Sequence, residues 1–211
     1  MTMQAFTAVT GAAVPLLRAN IDTDAIIRIE RLTSLQRDEM GPYALEALRR
    51  RGDGSDDPDC VLNQLRFRNA PILLSGANFG CGSSREPAVW ALMAIGLRCV
   101  VAPSFGDIFF NNCFQNGMLP IRLPAEQVEA LAAQCADGAP MRVDLVSATL
   151  TAPDASVIPF VVDALRREAL LNGLDDIGLT LKDDALIRSW QRQDRQRRPW
   201  VWPVPSPGES S

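Results

Sequence analysis

The chain has 211 residues, of which 47% are hydrophobic and 22% charged, so it can form one ordinary domain with a buried core, or a domain plus a tail. Its formal net charge of −4 argues against a nucleic-acid or anionic-membrane binder. It contains no histidine, which excludes Ser-His, Cys-His and His-metal chemistry within this chain.

The opening MTMQAFTAVTGAAVPLL lacks a charged start and a long apolar centre, so no secretory leader is expected, and no apolar run is long enough to span a bilayer. FTAVTGAAVPLL itself reads as a short strand and turn. A polar loop from Arg18 to Asp24 follows, and then Ile26 and Ile27. Residues 42–51 begin with a proline and read as a short helix. Residues 51–60 crowd glycine, aspartate, serine and proline together, the composition of a mobile loop.

From residue 71 the pattern becomes regular. PILLSG (71–76), CVVAPS (99–104) and MLPIRL (118–123) read as short buried strands. Helices are expected over 85–96, 107–117 and 124–138, the last with Pro124 at its start and Gly138 at its end. This alternation implies parallel β-α-β units and an α/β fold. The helix over 85–96 is apolar nearly all round, and Trp90 and Met93 read as core.

After residue 140, MRVDLVSATL and SVIPFVV flank TAPDA as a strand pair joined by a turn. Asp163 and Gly173 cap a helix between them. Thr180 and Asp183 stand at capping-box spacing before a final helix of about fifteen residues. The expected division is a domain over 1–190 and a flexible tail over 191–211, basic and then proline-rich, with Trp200 and Trp202 hinting at docking.

The densest unusual segment is GANFGCGSSREP (76–87), between a buried strand and a buried helix. Gly80 and Gly82 allow backbone conformations closed to other residues, and Ser83 and Ser84 stand where the helix begins. Free amides, the helix dipole and the Arg85 fork would together favour an anion, a carboxylate before a phosphate, because neither a Walker loop nor a dinucleotide fingerprint is present. The bland alternative is a glycine-rich turn with a serine cap. Cys81 reads as a packing or amide-presenting residue rather than an activated thiol. Asp22 and Asp24 could pair on a metal, or form a turn that bonds its own backbone. The five cysteines, Cys60, Cys81, Cys99, Cys113 and Cys135, are scattered and never spaced C-x-x-C, which fits reduced thiols in a cytoplasmic protein and no self-contained iron–sulfur or zinc site.

Three blocks in order, ANIDTDAIIRIERL (19–32), the segment 73–124, and LNGLDDIGLTLKDDALI (171–187), resemble the small subunits of 3-isopropylmalate dehydratase, in the aconitase superfamily. The resemblance implies a single swivelling β/β/α domain. It implies a hydro-lyase active only with a large subunit, isomerising 2- and 3-isopropylmalate through 2-isopropylmaleate in leucine biosynthesis. Ser83 would be the base, as its alkoxide, and Asp24 would be the other catalytic residue, near the active site. Gly82, Ser84 and Arg85 would hold a substrate carboxylate, and Arg28 would open the stretch that selects the substrate side chain. No metal or cofactor is expected on this chain, and a [4Fe–4S] cluster is expected on the large subunit. Two positions depart from the family pattern: Pro87 stands where histidine is common, and Arg28 where proline is common. They leave two alternatives, a paralogous hydratase for another small diacid such as citraconate or a methylated maleate, and a non-catalytic carboxylate-binding module.

Overall fold

Nine consecutive residues, Ala8–Leu16, form strand β1, and the two ends of that strand belong to different halves of one sheet. In the computed structural model, which describes residues 3–33 and 35–202, Ala13 to Leu16 pair in parallel with β2 (Ile72–Ser75), while Ala8 to Ala12 pair antiparallel with β5 (Pro140–Asp144). Strand β3 (Cys99–Ala102) and β4 (Leu119–Arg122) extend the parallel half, and β6 (Thr149–Thr151) and β7 (Val157–Pro159) extend the antiparallel half. The resulting order is β4-β3-β2-β1-β5-β6-β7. Gly11 is required near the changeover, since a Cβ there would stand 2.7 Å from the Pro71 ring.

The helices that matter to the site lie between these strands. Three single-turn helices, α1 (Thr23–Ile26), α2 (Ile29–Leu32) and α3 (Glu46–Arg49), fill the β1–β2 connection. Helices α4 (Glu86–Ala94), α5 (Asp107–Gln115) and α6 (Ala125–Cys135) are the expected crossovers. Parallel strands covered on both sides must be apolar on both faces, and the burial alternates accordingly. Ala13, Ile72, Leu74, Cys99 and Val101 face the α6 core, whereas Val14, Leu73, Val100 and Ala102 face the core shared with α4 and α5. Each fully buried aliphatic side chain contributes roughly 1.5–3 kcal/mol, which is how four-residue strands hold together.

Several expectations change against the structure. The run MRVDLVSATL is two strands, because the Asp144 carboxylate accepts from the amides of Val146 and Ser147 and turns the chain. Residues 42–51 do not form one helix from Pro42. A 3-10 segment ends at Tyr43, Leu45 takes a left-handed conformation (φ 54°), and only α3 follows. The segment 51–60 is a turn braced by an Arg50–Asp56 bridge and an Arg51–Asp57 ion pair at 3.5 Å. Asp163 and Gly173 do cap α7 (Ala164–Asn172). The Thr180–Asp183 capping box is not formed: the Thr180 hydroxyl donates to the Asp176 carbonyl at 2.9 Å, at the end of α8 (Asp176–Thr180).

The chain divides into two compact units between Asp175 and Asp176. In the second, α9 (Asp184–Arg197) takes in the basic start of the expected tail, and the buried Asp194 accepts from Arg198 Nε (2.8 Å) and from the Trp202 indole (3.1 Å). The rest of the proline-rich stretch, 203–211, lies outside the described residues. Among the described residues no helix is long and apolar enough to cross a membrane.

Candidate active site

The loops that leave the carboxyl ends of β1, β2 and β3 meet at one place, the usual location of a site in a parallel sheet. Isolated bridges join Asp22 to Cys81 and Phe79 to Phe105, so the glycine-rich turn is stitched to the loops on either side. The Gly80 amide donates to the Ile21 carbonyl at 2.7 Å, the Thr23 amide to the Cys81 carbonyl at 2.9 Å, and the Gly106 amide to the Phe79 carbonyl at 2.9 Å. Phe79 is fully buried and anchors the turn, edge-on to Phe109 at 5.3 Å and to Phe105 at 6.4 Å.

Gly80 and Gly82 have φ of +70° and +93°, the conformations the sequence required. At Gly80 a Cβ would lie 2.2 Å from the Phe109 ring, so the aromatic anchor and the glycine specify each other. Ser83 and Ser84 follow on the exposed surface. The Ser83 backbone is held because the Thr23 hydroxyl, buried in α1, donates to the Ser83 carbonyl at 3.1 Å.

Arg85 is the N-cap of α4, with Pro87 in the first turn, where its missing amide hydrogen costs nothing. The Arg85 side chain is 12% exposed and forms an ion pair with Asp24, which is 56% exposed. It also donates to the Ile27 carbonyl at 3.5 Å. Asp24 and Arg85 belong to separate blocks of the sequence, and the structure places them in contact. Asp22 caps α1 by accepting from the Ala25 amide at 2.7 Å, the turn that bonds its own backbone. The Arg28 side chain is 58% exposed and lines with Asp24, Ala25, Glu30 and Ala47 an open cavity of about 320 Å³.

Three supporting residues have no signal in the sequence. Thr23 reads as part of a polar loop. Glu46, only 8% exposed, receives Arg31 and Arg28. Asn116, 7% exposed, accepts from the Trp90 indole at 2.7 Å and donates to the Glu86 carboxylate at 2.8 Å, tying the first turn of α4 to the end of α5. Trp90 therefore carries a polar link besides its core packing.

Among the described residues no three histidine, cysteine, aspartate or glutamate side chains converge to hold a metal ion. Cys99, Cys113 and Cys135 are all buried, and burial raises all three thiols above their ordinary range. They offer no cradle for an iron–sulfur cluster.

Residues 3–126 match the Aconitase C-terminal domain family, and residues 176–203 match the family of C-terminal domains of the 3-isopropylmalate dehydratase small subunit. The chain is similar to proteins named 3-isopropylmalate dehydratase small subunit. That of Dinoroseobacter shibae is 49% identical, that of Rhodospirillum centenum 50% and that of Cereibacter sphaeroides 51%, each over 94% of this chain and 99–100% of the relative. A crystal structure of 3-isopropylmalate dehydratase from Methanocaldococcus jannaschii superposes with a TM-score of 0.65 and 27% identity, covering 87% of this chain and 99% of that one.

Proposed function

The chain belongs to the family of 3-isopropylmalate dehydratase small subunits, and from that membership and the geometry of the Gly80–Arg85 turn we propose how it contributes to a hydro-lyase of leucine biosynthesis. The reaction is the interconversion of 2- and 3-isopropylmalate through 2-isopropylmaleate, by loss and return of water. The observation that carries the reading is the ion-paired Arg85 beside two exposed serines at the start of α4.

Ser83 is the base. An ordinary serine is far too weak for this, so its oxygen must be held as an alkoxide by the amides of the turn, the helix N-terminus and the Arg85 charge. The alkoxide takes the proton from the carbon next to a carboxylate. The hydroxyl leaves the adjacent carbon as the double bond forms, and Ser83 is then neutral. On rehydration a hydroxyl adds to the carbon that lost its proton, and Ser83 gives its proton to the carbon that lost the hydroxyl. Arg85, Ser84 and the Gly82 amide hold that carboxylate, the guanidinium by two parallel hydrogen bonds. Asp24 keeps the Arg85 fork aimed, and Arg28 stands at the side-chain end of the cavity.

The active enzyme is a heteromer with a large subunit, in the cytoplasm. A [4Fe–4S] cluster is assigned to that partner on the strength of the family membership. The chemistry it supplies when bound is that of a Lewis acid toward the substrate hydroxyl. Relatives of this identity favour neither another diacid nor a non-catalytic binding module.

The test is co-expression with the large subunit, anaerobic reconstitution, and absorbance of the unsaturated diacid with isopropylmalate, citramalate and methylated malates offered in parallel. Turnover of isopropylmalate is expected. Preference for another diacid, or a chain that assembles with no large subunit, would contradict the reading.

A further inference from the structure

Helix α2 buries none of its four residues fully, and its Glu30 lines, with Asp24 and Arg28, the open cavity of about 320 Å³. Leu32 packs against the edge of the core, and the polar side of the turn is held by Glu46. Arg31 donates to the two oxygens of that carboxylate, from Nε at 3.4 Å and from Nη2 at 3.1 Å, and its guanidinium lies 4.1 Å from the centre of the Tyr43 ring. Arg28 Nε stands 3.7 Å from the same carboxylate. Glu46 is the first residue of α3, and the adjoining Leu45 amide donates to the Ile26 carbonyl of α1 at 2.8 Å. One buried acid therefore ties both arms of the 28–32 segment to the helix beside Asp24.

The cavities give this anchor a consequence. Arg28, Arg31, Arg50 and Arg51 line, with Glu46, an open cavity of about 460 Å³, and this cavity shares Arg28 and Ala47 with the one that contains Asp24. Without the Glu46 charge, four guanidiniums would line one cavity against no acid among its lining residues, and their mutual repulsion would drive Arg28 and Arg31 outward.

We propose that Glu46 is a positioning residue for substrate selection. By holding Arg31 and Arg28 it fixes the 28–32 segment, so that Arg28 closes the end of the cavity where the side chain of a branched dicarboxylate would lie. This rests on the function proposed above.

The test uses the reconstituted two-subunit enzyme with Glu46→Ala and Glu46→Gln, assayed on 3-isopropylmalate and on citramalate, whose side chain is a single methyl group. For Glu46→Ala the expected result is a KM for 3-isopropylmalate raised about tenfold with kcat within about threefold, and a kcat/KM ratio between the two diacids that falls at least about fivefold. Glu46→Gln keeps an acceptor for Arg31 and its own size, and recovers part of both effects. A structural role alone lowers the amount of active enzyme, which reduces kcat on both diacids by one factor and leaves KM and the ratio unchanged; that result overturns the proposal. If Glu46→Ala does not assemble, an unaltered ratio in Glu46→Gln overturns it equally. A wild-type complex inactive on both diacids would remove the parent reading, and is seen before any variant is compared.

Discussion

The hydroxyl of Thr23 donates to the carbonyl of Ser83 at 3.1 Å, joining residues sixty positions apart, and this bond sets the backbone from which the proposed base projects. Thr23 is 2% exposed, so water cannot substitute at its end. Thr23→Val keeps the shape and removes the donor. The expected cost is about 1 kcal/mol, or roughly 2–4 °C in melting temperature, with a fall in kcat of about tenfold or more from misplacement of the turn. Calorimetry and steady-state kinetics on one preparation check both. A lowered melting temperature with full kcat would separate Thr23 from the turn's geometry.

The two glycines of the turn should respond differently. Gly80→Ala meets a left-handed backbone and a Cβ 2.2 Å from the Phe109 ring, so about 2–4 kcal/mol of destabilisation is expected from strain and overpacking together. Gly82→Ala has the same backbone problem, but its Cβ would find nothing nearer than 3.6 Å, so about 1–2 kcal/mol is expected. Urea midpoints measured side by side should keep that order.

Arg85 is nearly buried and already paired with Asp24, so its fork is pre-aimed. Arg85→Lys keeps the charge and loses the second hydrogen bond. A fall in kcat/KM of about a hundredfold or more is expected, comparable to removing one donor from a charge-stabilising site. Steady-state absorbance over a range of substrate concentrations separates the KM and kcat contributions. Unchanged kinetics would show that Arg85 does not hold the substrate.

Alkaline pH should weaken the fold through its buried thiols. Burial pushes the Cys135 thiol up from an ordinary 9.0 to about 11, and raises Cys99 and Cys113 as well. The folded pKa exceeds the unfolded one, so this contribution is whole below about pH 9 and, for Cys135, is lost as pH rises from about 9 to about 11. Urea midpoints in the wild type should be lower at about pH 10.5 than at about pH 8. Cys135→Ala should start lower, because it leaves a small cavity, and then fall by less.

The central α/β frame is legible because its strands are buried on both faces and read as unbroken apolar runs: Ile72 to Leu74, Cys99 to Ala102, Leu119 to Ile121. The turn that carries Ser83 is legible because glycines with positive φ have few other uses at that spacing. Features made by tertiary contacts are not. Leu45 in a left-handed conformation splits the segment after Pro42, and no local rule places a leucine there. The Asp144 carboxylate turns the chain inside what reads as one strand. Thr23, Glu46 and Asn116 act through partners 60, 15 and 30 positions away, a separation that no window of sequence reveals.

Ser83→Ala in the reconstituted two-subunit enzyme tests the role of the base most directly, with complex formation measured by size-exclusion chromatography and turnover followed by the absorbance of isopropylmaleate. Full assembly is expected, with a melting temperature within about 2 °C of wild type, as for an exposed surface substitution, and no detectable isopropylmaleate. Substantial turnover in that variant would mean that the proton leaves to another group, and would remove Ser83 as the base.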